Sequence, residues 1–337
     1  MKLKTSILSV SAIILIFLIF SSNGNQNPQW KGTIAEEDGA KVIKNPNEPL
    51  FGEITFDLEE DLSIGNEEDE NYMFYASVAL AVDSSGNILA LDYGNLRIQK
   101  YDKNGQYIQT IGRQGQGPGE FEEPYRLHLD TNNNIYVLDK RMIHGFKING
   151  ELLRTITLKQ LSFRFIREFR ILKEGNIICN TTSREIKDGK PTDDSISNID
   201  FFDSEGKLIE TIAMYNRKAG SLKVRERVST SPPNYHESRL YFSPLDEELS
   251  VYGYSSEYML FVINSSRRIV YKIKKDENTQ PIPNEVKDKV IDYFIERQKK
   301  RARGREFSRG EVKEAMNFPK YKPFFSDIIS DDKERIM

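Results

Sequence analysis

The glycine-rich stretch from Gly112 to Gly119, GRQGQGPG, is the first segment whose residue types could do chemistry. Backbone amides in such a loop can surround a phosphate, and Arg113 would add a positive charge. Phosphate loops of nucleotide enzymes lead from a strand into a helix that starts near a Lys, whereas a second extended run follows here. We therefore interpret the stretch as a connection that needs positive φ angles, and keep Arg113 as a candidate ligand-binding residue.

Three arginines and a histidine form a second candidate site: Arg126, His128, Arg167 and Arg170. They lie on or near segments that the repeats described below predict to be innermost strands. Guanidinium groups bind carboxylates and phosphates through paired hydrogen bonds, so inward-pointing arginines would create a basic mouth for an anionic ligand. The alternative is that the many Glu residues of the chain neutralise them.

The histidines and the cysteine do not suggest a metal centre. Of His128, His144 and His236, only His128 falls on a predicted innermost strand, so the three are not expected to converge as zinc ligands require. Cys179, the lone cysteine, lies in the apolar run NIICN and is predicted to be a small buried side chain. We predict no metal site, no cofactor and no catalytic set.

Recurring aspartates offer the other route to a metal. Asp83 and Asp130 follow equivalent first strands, and Asp92 and Asp139 follow equivalent second strands. Calcium in a propeller-type hydrolase or lactonase is held by Asp, Asn and Glu from several repeats, which makes that activity the alternative function. Recurrence in each repeat instead favours hydrogen bonding within turns.

Charge limits the classes of partner. The chain has 48 Lys and Arg against 51 Asp and Glu, a net charge of -3, which argues against a wholly basic surface for nucleic acid. The run from Lys299 to Arg309, KKRARGREFSR, is locally basic and could contact an anionic membrane or nucleic acid. We interpret it as a solvated helix end, and predict no nucleic-acid partner.

Internal repeats indicate which elements carry these residues. LAVDSSGNILALD (80–92) matches LHLDTNNNIYVLD (127–139), and YDKNGQYIQTI matches FKINGELLRTI. A period of 40 to 50 residues with four short strands is typical of a β-propeller blade. The sequence therefore predicts an all-β propeller domain over 51–337, with blades at about 72–112, 121–158, 163–213 and 235–275. Residues 181–198, inside the third blade, are predicted to be a long polar loop.

The segments around the blades complete the prediction. Residues 54–64 are expected to be a strand that closes the ring, and 283–317 a helical insertion because Val286, Val290 and Phe294 share one helical face. A fifth blade begins at 321–337. We expect a truncated six-bladed ring, with a five-bladed ring as the alternative.

The N-terminus predicts export. Lys2 and Lys4 precede the apolar run 7–20, and small residues follow, so 1–24 is interpreted as a signal peptide. An uncleaved anchor over 5–22 is the alternative, and would tether the protein to a membrane. Residues 25–50 are expected to be a flexible leader. The predicted location is the periplasm or cell envelope.

One segment resembles a known family. In GNLRIQKYDKNGQYIQTIGRQGQGPGEF, the N-x-R-I-Q run, the D-x-x-G turn and the IGRxGxGPGEF loop are similar to NHL-repeat proteins, and more closely to the six-bladed propellers of Bacteroidetes-type exported proteins. The likeness runs from about residue 54 to the end. It implies a six-bladed NHL-like propeller exported from a bacterial cell, in a family where most members have no established activity. The expected function is a scaffold that binds a protein, a peptide or an anionic small molecule.

Overall fold

A computed structural model of the protein describes residues 29–48, 50, 57, 59–76, 78–161, 164–218, 222–225, 228–230, 237–300, 306–316, 318–330 and 336. The predicted signal peptide (1–24), the alternative anchor (5–22) and His236 lie outside the described residues. Neither helix in the described part of the chain combines the length and apolar character that a membrane crossing needs.

Antiparallel sheets occupy the four predicted blade ranges, with strands in chain order from the inside outwards. Blade one contains β3 (Val78–Val82), β4 (Ile88–Asp92), β5 (Arg97–Tyr101) and β6 (Tyr107–Ile111). Blade two contains β7 (Pro124–Leu129), β8 (Ile135–Asp139), β9 (Met142–Phe146) and β10 (Leu152–Thr157). The first strands β3 and β7 contact each other, so the first strand of each blade is the innermost one.

The third and fourth blades are longer or less regular. Blade three contains β11 (Arg164–Ile171), β12 (Ile177–Lys187), β13 (Lys190–Phe202) and β14 (Leu208–Arg217). A short pair, β15 (Leu222–Arg225) and β16 (Val228–Thr230), leads to blade four, which contains β17 (Leu240–Pro244), β18 (Leu249–Tyr254), β19 (Met259–Asn264) and β20 (Ile269–Lys275). The prediction of a loop over 181–198 is wrong, because β12 and β13 continue through it as an extended antiparallel hairpin in which Thr181 pairs with Asn198 and Arg184 with Ser195.

Turns inside the blades follow the aspartate pattern of the sequence. The Asp83 carboxylate accepts hydrogen bonds from the backbone N–H groups of Ser85 and Asn87, each at 2.9 Å. Asp130 accepts the equivalent bonds from Asn132 and Asn134. An aspartate that satisfies two turn amides fixes the turn locally, which is why the repeat was visible in the sequence.

Apolar side chains between adjacent blades form the core. Leu89, Leu91 and Ile98 of blade one pack against Phe121 and Ile135 at the start of blade two, all with 0% exposure. Similar clusters join blades two and three, where Cys179 is buried as predicted, and blades three and four. Burial of one such side chain stabilises the fold by about 2 kcal/mol, so consecutive blades are held chiefly by these interfaces.

A polar pair recurs between the third and fourth strands of three blades. Thr110 Oγ1 donates to Gln99 Oε1 at 2.5 Å in blade one, and Thr211 Oγ1 donates to Asp200 Oδ1 at 2.6 Å in blade three. In blade two, Thr155 Oγ1 lies 3.1 Å from Nδ1 of His144. Gln99, His144 and Asp200 are buried, so each needs the threonine to satisfy part of its hydrogen-bonding capacity.

Residues 33–45 of the predicted leader are folded. β1 (Thr33–Glu37) and β2 (Ala40–Asn45) form a hairpin, and β2 pairs in parallel with β20, the outer strand of blade four. The prediction of a flexible leader over 25–50 is therefore wrong for residues 33–45. Val42 is 3% exposed. Burial of this apolar side chain and hydrogen bonds to an otherwise open sheet edge explain why the segment is ordered.

The predicted closing strand over 54–64 is absent from the residues described there, 57 and 59–64, none of which is in a strand. The prediction is therefore wrong for these residues. Leu62 and Ile64 instead approach Gly105, in the turn between β5 and β6. Further along, the Tyr72 ring packs against Tyr101 with centroids 5.5 Å apart. These side-chain contacts attach the segment to blade one, whereas its acidic sequence offers no sustained apolar alternation to extend a sheet.

Helices occupy the predicted insertion 283–317. α1 (Asn284–Lys300) and α2 (Arg309–Met316) pack through Ile291, Phe294 and Val312, which confirms the prediction. The end of the basic run is ion-paired, because Arg309 contacts both Asp288 and Asp292.

The expected start of a fifth blade at 321–337 is not seen as strands in its described residues, 321–330 and 336, which form only single bridges. The expectation is thus wrong for these residues. Phe325 and Ile328 pack on blade four, and Ser330 Oγ donates to the Pro244 carbonyl at 2.5 Å. Side-chain contacts with the preceding blade determine the path of this segment.

Candidate arginine site on the innermost strands

Innermost strands β7 and β11 bring Arg126 and Arg167 together. Arg126 Nε donates to the Arg167 carbonyl at 2.6 Å and lies 3.5 Å from Glu168 Oε2. The ladder of β11 with β12 shifts register between Ile166 and Glu168, which leaves Arg167 as the extra residue of a β-bulge. Its Nε donates to Thr182 Oγ1 at 2.7 Å, so the side chain is held against β12, the second strand of blade three.

Two further arginines contribute to this site. Burial lowers the pKa of Arg167, and the positive charges of Arg239, Arg217 and Arg126 lower it further. Arg217, at the end of β14, is also ion-paired with Glu237. We call Arg126, Arg167, Arg217 and Arg239 the arginine cluster.

Arg217 and Arg239 were not among the predicted site residues. Arg217 lies in the basic stretch 216–234 and Arg239 shortly after it, but no local pattern indicates that either side chain approaches Arg167. Arg217 reaches the site because β14 continues as far as residue 217, where it pairs with Ser195 of the extended hairpin.

The carboxylate within the arginine cluster is unusual. Burial raises the pKa of Glu168, although a backbone hydrogen bond from Phe169 and the charges of Arg126 and Arg170 oppose that effect. Desolvation thus disfavours the charged form of the one carboxylate that lies against Arg126. With Glu237, which pairs with Arg217, it supplies two negative charges beside the four guanidinium groups.

Aromatic rings border the arginine cluster. Tyr125 and Phe165 stack with ring centroids 5.2 Å apart and an angle of 20° between the rings. The Arg126 guanidinium lies 5.9 Å from the Tyr125 centroid, and Phe165 is 55% exposed. The site therefore presents a flat apolar surface beside its positive charges.

His128 and Arg170 form a separate pair further along the same two strands. Arg170 Nη1 contacts Nδ1 of His128, which is 7% exposed. Burial lowers the pKa of His128 well below its usual value, and the Arg170 charge lowers it further, so the ring is neutral and can accept this hydrogen bond. The five predicted site residues thus fall into two pairs and one distant residue.

That distant residue is Arg113, in the connection between blades one and two. Its side chain is 81% exposed and its Nε donates to Glu120 Oε1 at 2.8 Å. The glycine-rich stretch acts as the predicted connection: Gly112 has φ of +74°, and a Cβ there would lie 2.3 Å from the Phe121 ring. Only glycine allows that close approach.

The aspartates that end the second strands accept hydrogen bonds from backbone N–H groups. Asp92 accepts a hydrogen bond from the Tyr75 N–H at 3.2 Å, and Asp139 accepts bonds from the N–H groups of Glu122 and Glu123 at 2.7 and 2.8 Å. Each aspartate thereby fixes the segment that enters the first strand of its own blade. Within the described residues, no group of three or more His, Cys, Asp or Glu side chains is placed to hold a metal ion.

Residues 69–221 match a sequence family described as a 6-bladed beta-propeller. This part of the chain is of six-bladed propeller type. The family resemblance and fold class predicted from the repeats are confirmed to that extent, and the matched residues include all of blades one to three. None of the curated proteins matches the sequence.

The solved structures that this chain resembles are distant in sequence. A Bacteroides fragilis protein described as a candidate exported protein is 16% identical with a TM-score of 0.40; the match covers 73% of this chain and 64% of that one. Virginiamycin B lyase of Staphylococcus aureus is 12% identical, with coverage of 75% and 87% and a TM-score of 0.29. A B. fragilis protein described as a candidate 6-phosphogluconolactonase is 11% identical, with coverage of 64% and 59% and a TM-score of 0.32.

Proposed function

We propose that this protein is an exported β-propeller that acts as a binding scaffold, and that its arginine cluster binds a carboxylate-bearing ligand. The observation that carries the proposal is the position of Arg126 against the Arg167 carbonyl, at 2.6 Å, with the exposed Arg167 side chain held by the Thr182 hydroxyl. The positive charges of Arg239, Arg217 and Arg126 also lower the pKa of Arg167, which shows that the guanidinium groups repel one another. An anion that enters the arginine cluster would relieve this repulsion and form charge-assisted hydrogen bonds.

The balance of charge within the site supports the same conclusion. Glu237 is engaged by Arg217, and burial raises the pKa of Glu168. Arg167 forms its side-chain hydrogen bond with the neutral Thr182 hydroxyl. Arg167 and Arg126 therefore retain hydrogen-bonding capacity for a ligand, because a guanidinium has five N–H donors.

Export rests on the sequence of the N-terminus. Lys2 and Lys4 followed by the apolar run 7–20 have the order of charged and apolar regions that directs secretion. A protein expressed with its native N-terminus would be recovered outside the cytoplasm, and replacement of Leu15 by Arg would retain it in the cytoplasm.

Calorimetric titration tests the binding proposal with two probes, citrate and a hexaglutamate peptide. We expect Arg167→Gln and Arg126→Gln to weaken binding at least about 10-fold, equal to about 1.4 kcal/mol. Arg267→Gln is the matched control, because Arg267 forms an exposed ion pair with Glu210. Binding should also weaken as salt is raised from 50 to 300 mM. Failure of both probes to bind, or an equal loss in the control, would refute the proposal.

A further inference from the structure

A cavity of about 430 Å³ lies under the glycine-rich loop, at the outer half of blade two. Residues 115–118 of the loop cover it. Its apolar wall comes from Met142 on β9 and Leu152 on β10. The volume is within the range of small-molecule sites. It is separate from the arginine cluster, whose Arg126 and Arg167 lie on the innermost strands β7 and β11.

Two carboxylates line this loop cavity, Glu120 and Glu122. Glu120 Oε2 accepts from the Gly117 N–H at 2.8 Å, and Glu122 Oε1 accepts from Gln116 Nε2 at 2.7 Å. Hydrogen bonds from the loop and from nearby cations lower the pKa of both groups, so both are ionised at neutral pH. Each oxygen has a further lone pair with which to accept a hydrogen bond from a ligand.

The cations paired with these carboxylates are more exposed than the carboxylates themselves. Arg113 is 81% exposed against 22% for Glu120, and Lys140 is 41% exposed against 28% for Glu122. Solvent and salt screen an exposed charge more strongly than a partly buried one. The charges of the two carboxylates are therefore screened less than those of their cationic partners, which lie further towards solvent.

The inner end of the loop cavity is polar but uncharged. His144 is 2% exposed, and burial lowers its pKa, so the imidazole is neutral. Its Nδ1 is 3.1 Å from Thr155 Oγ1, and its buried Nε2 has no hydrogen-bond partner among the described residues. Nε2 lies 3.9 Å from Asp139 Oδ2, too far for a hydrogen bond. The inner end therefore adds no positive charge to oppose the carboxylates.

We propose that the loop cavity binds a small organic cation, with its ammonium group at Glu120 and Glu122 and its apolar body against Met142 and Leu152. Carboxylates that the loop already holds in place lose little side-chain entropy when the ammonium group binds. The apolar wall adds the hydrophobic contribution that an inorganic cation would lack.

Calorimetric titration with three ligands of one shape tests this proposal: cyclohexylmethylammonium, cyclohexylmethanol and cyclohexanecarboxylate. We expect the ammonium compound to bind at least about 10-fold more tightly than the alcohol, a difference of about 1.4 kcal/mol. Glu122→Gln should abolish that preference. Glu123→Gln is the control, because Glu123 also approaches Lys140 but is 74% exposed and does not line the loop cavity.

A second variant keeps the proposal testable if Glu122→Gln fails to fold. Gln116 is exposed, so Gln116→Lys should fold normally and place a positive charge at the rim. It should weaken binding of the ammonium compound at least 10-fold and leave the alcohol unchanged. Equal binding of ammonium compound and alcohol, no binding of either at millimolar concentration, or an equal loss with Glu123→Gln would overturn the proposal. If only cyclohexanecarboxylate binds, the result would support anion binding at the arginine cluster and refute cation binding in the loop cavity.

Discussion

Asp200 on β13 is the residue whose loss we expect to damage blade three most. Its carboxylate is 0% exposed and accepts three hydrogen bonds: from Arg164 Nη1 and Thr181 Oγ1 at 2.5 Å each, and from Thr211 Oγ1 at 2.6 Å. Asp200→Ala leaves the Arg164 guanidinium and two hydroxyl groups without this acceptor. Removal of one partner from a buried ion pair costs about 3–5 kcal/mol, so we expect a loss of about 4 kcal/mol in the free energy of unfolding.

Two variants separate the charge from the hydrogen bonds. Asp200→Asn retains the shape and one carbonyl acceptor, and threonine hydroxyls can reorient to accept from its amide, so we expect a loss of about 2 kcal/mol. Glu210→Ala, one strand away, removes an exposed ion pair with Arg267 and should cost less than about 1 kcal/mol.

Urea unfolding followed by circular dichroism measures these differences. The slope of the unfolding free energy against urea should be unchanged, which would show that the same surface is exposed in each variant. A loss below 1 kcal/mol for Asp200→Ala, or a loss equal to that of Glu210→Ala, would refute the view that this buried network stabilises blade three.

Two more predictions concern stability. His128 has a lowered pKa in the folded protein but the ordinary value near 6.5 when unfolded, so stability should fall as pH drops below 6.5, by up to about 1.4 kcal/mol per pH unit. Urea unfolding at pH 7.5, 6.5 and 5.5 measures this loss, and the free energy of unfolding of His128→Gln should fall less between pH 6.5 and 5.5 than that of the wild type. An equal fall in the two proteins would contradict the prediction. Val42→Asp should release the N-terminal hairpin to proteolysis and cost about 3 kcal/mol, whereas Ile34→Asp, on the exposed strand β1, should change stability by less than about 0.5 kcal/mol. Equal effects of these two substitutions would show that Val42 does not hold the hairpin to blade four.

Local features of the fold were predictable because their determinants are close in sequence. The Asp83 and Asp130 turns are each completed within four residues, and the apolar alternation of β4 and β8 repeats in both blades. Pairing of β2 with β20 was not predictable, because it joins segments more than 200 residues apart and depends on an edge that only the folded blade provides. The error over 54–64 has the same origin for its described residues, 57 and 59–64, which are not in a strand and contact blade one through Leu62 and Ile64.

The candidate site divides in the same way. Repeat alignment placed Arg126 and His128 on an innermost strand, where the structure has them, but it could not separate the Arg126–Arg167 pair from the His128–Arg170 pair. That separation depends on the bulge at Arg167 and on which guanidinium reaches the imidazole. Arg217 and Arg239 join the arginine cluster through the length of β14 and the return of the chain to β17.

The amino-acid sequence by itself determined that this chain forms repeated four-stranded sheets of propeller type, because period, turn residues and alternation are properties of each repeat. Only the tertiary structure decided which charged side chains meet. The guanidinium groups of the arginine cluster come from strands β7, β11 and β14 of two blades and from the segment before β17. The loop cavity forms where the connection between blades one and two folds back over blade two. Such contacts depend on packing between distant segments, for which the sequence contains no local pattern.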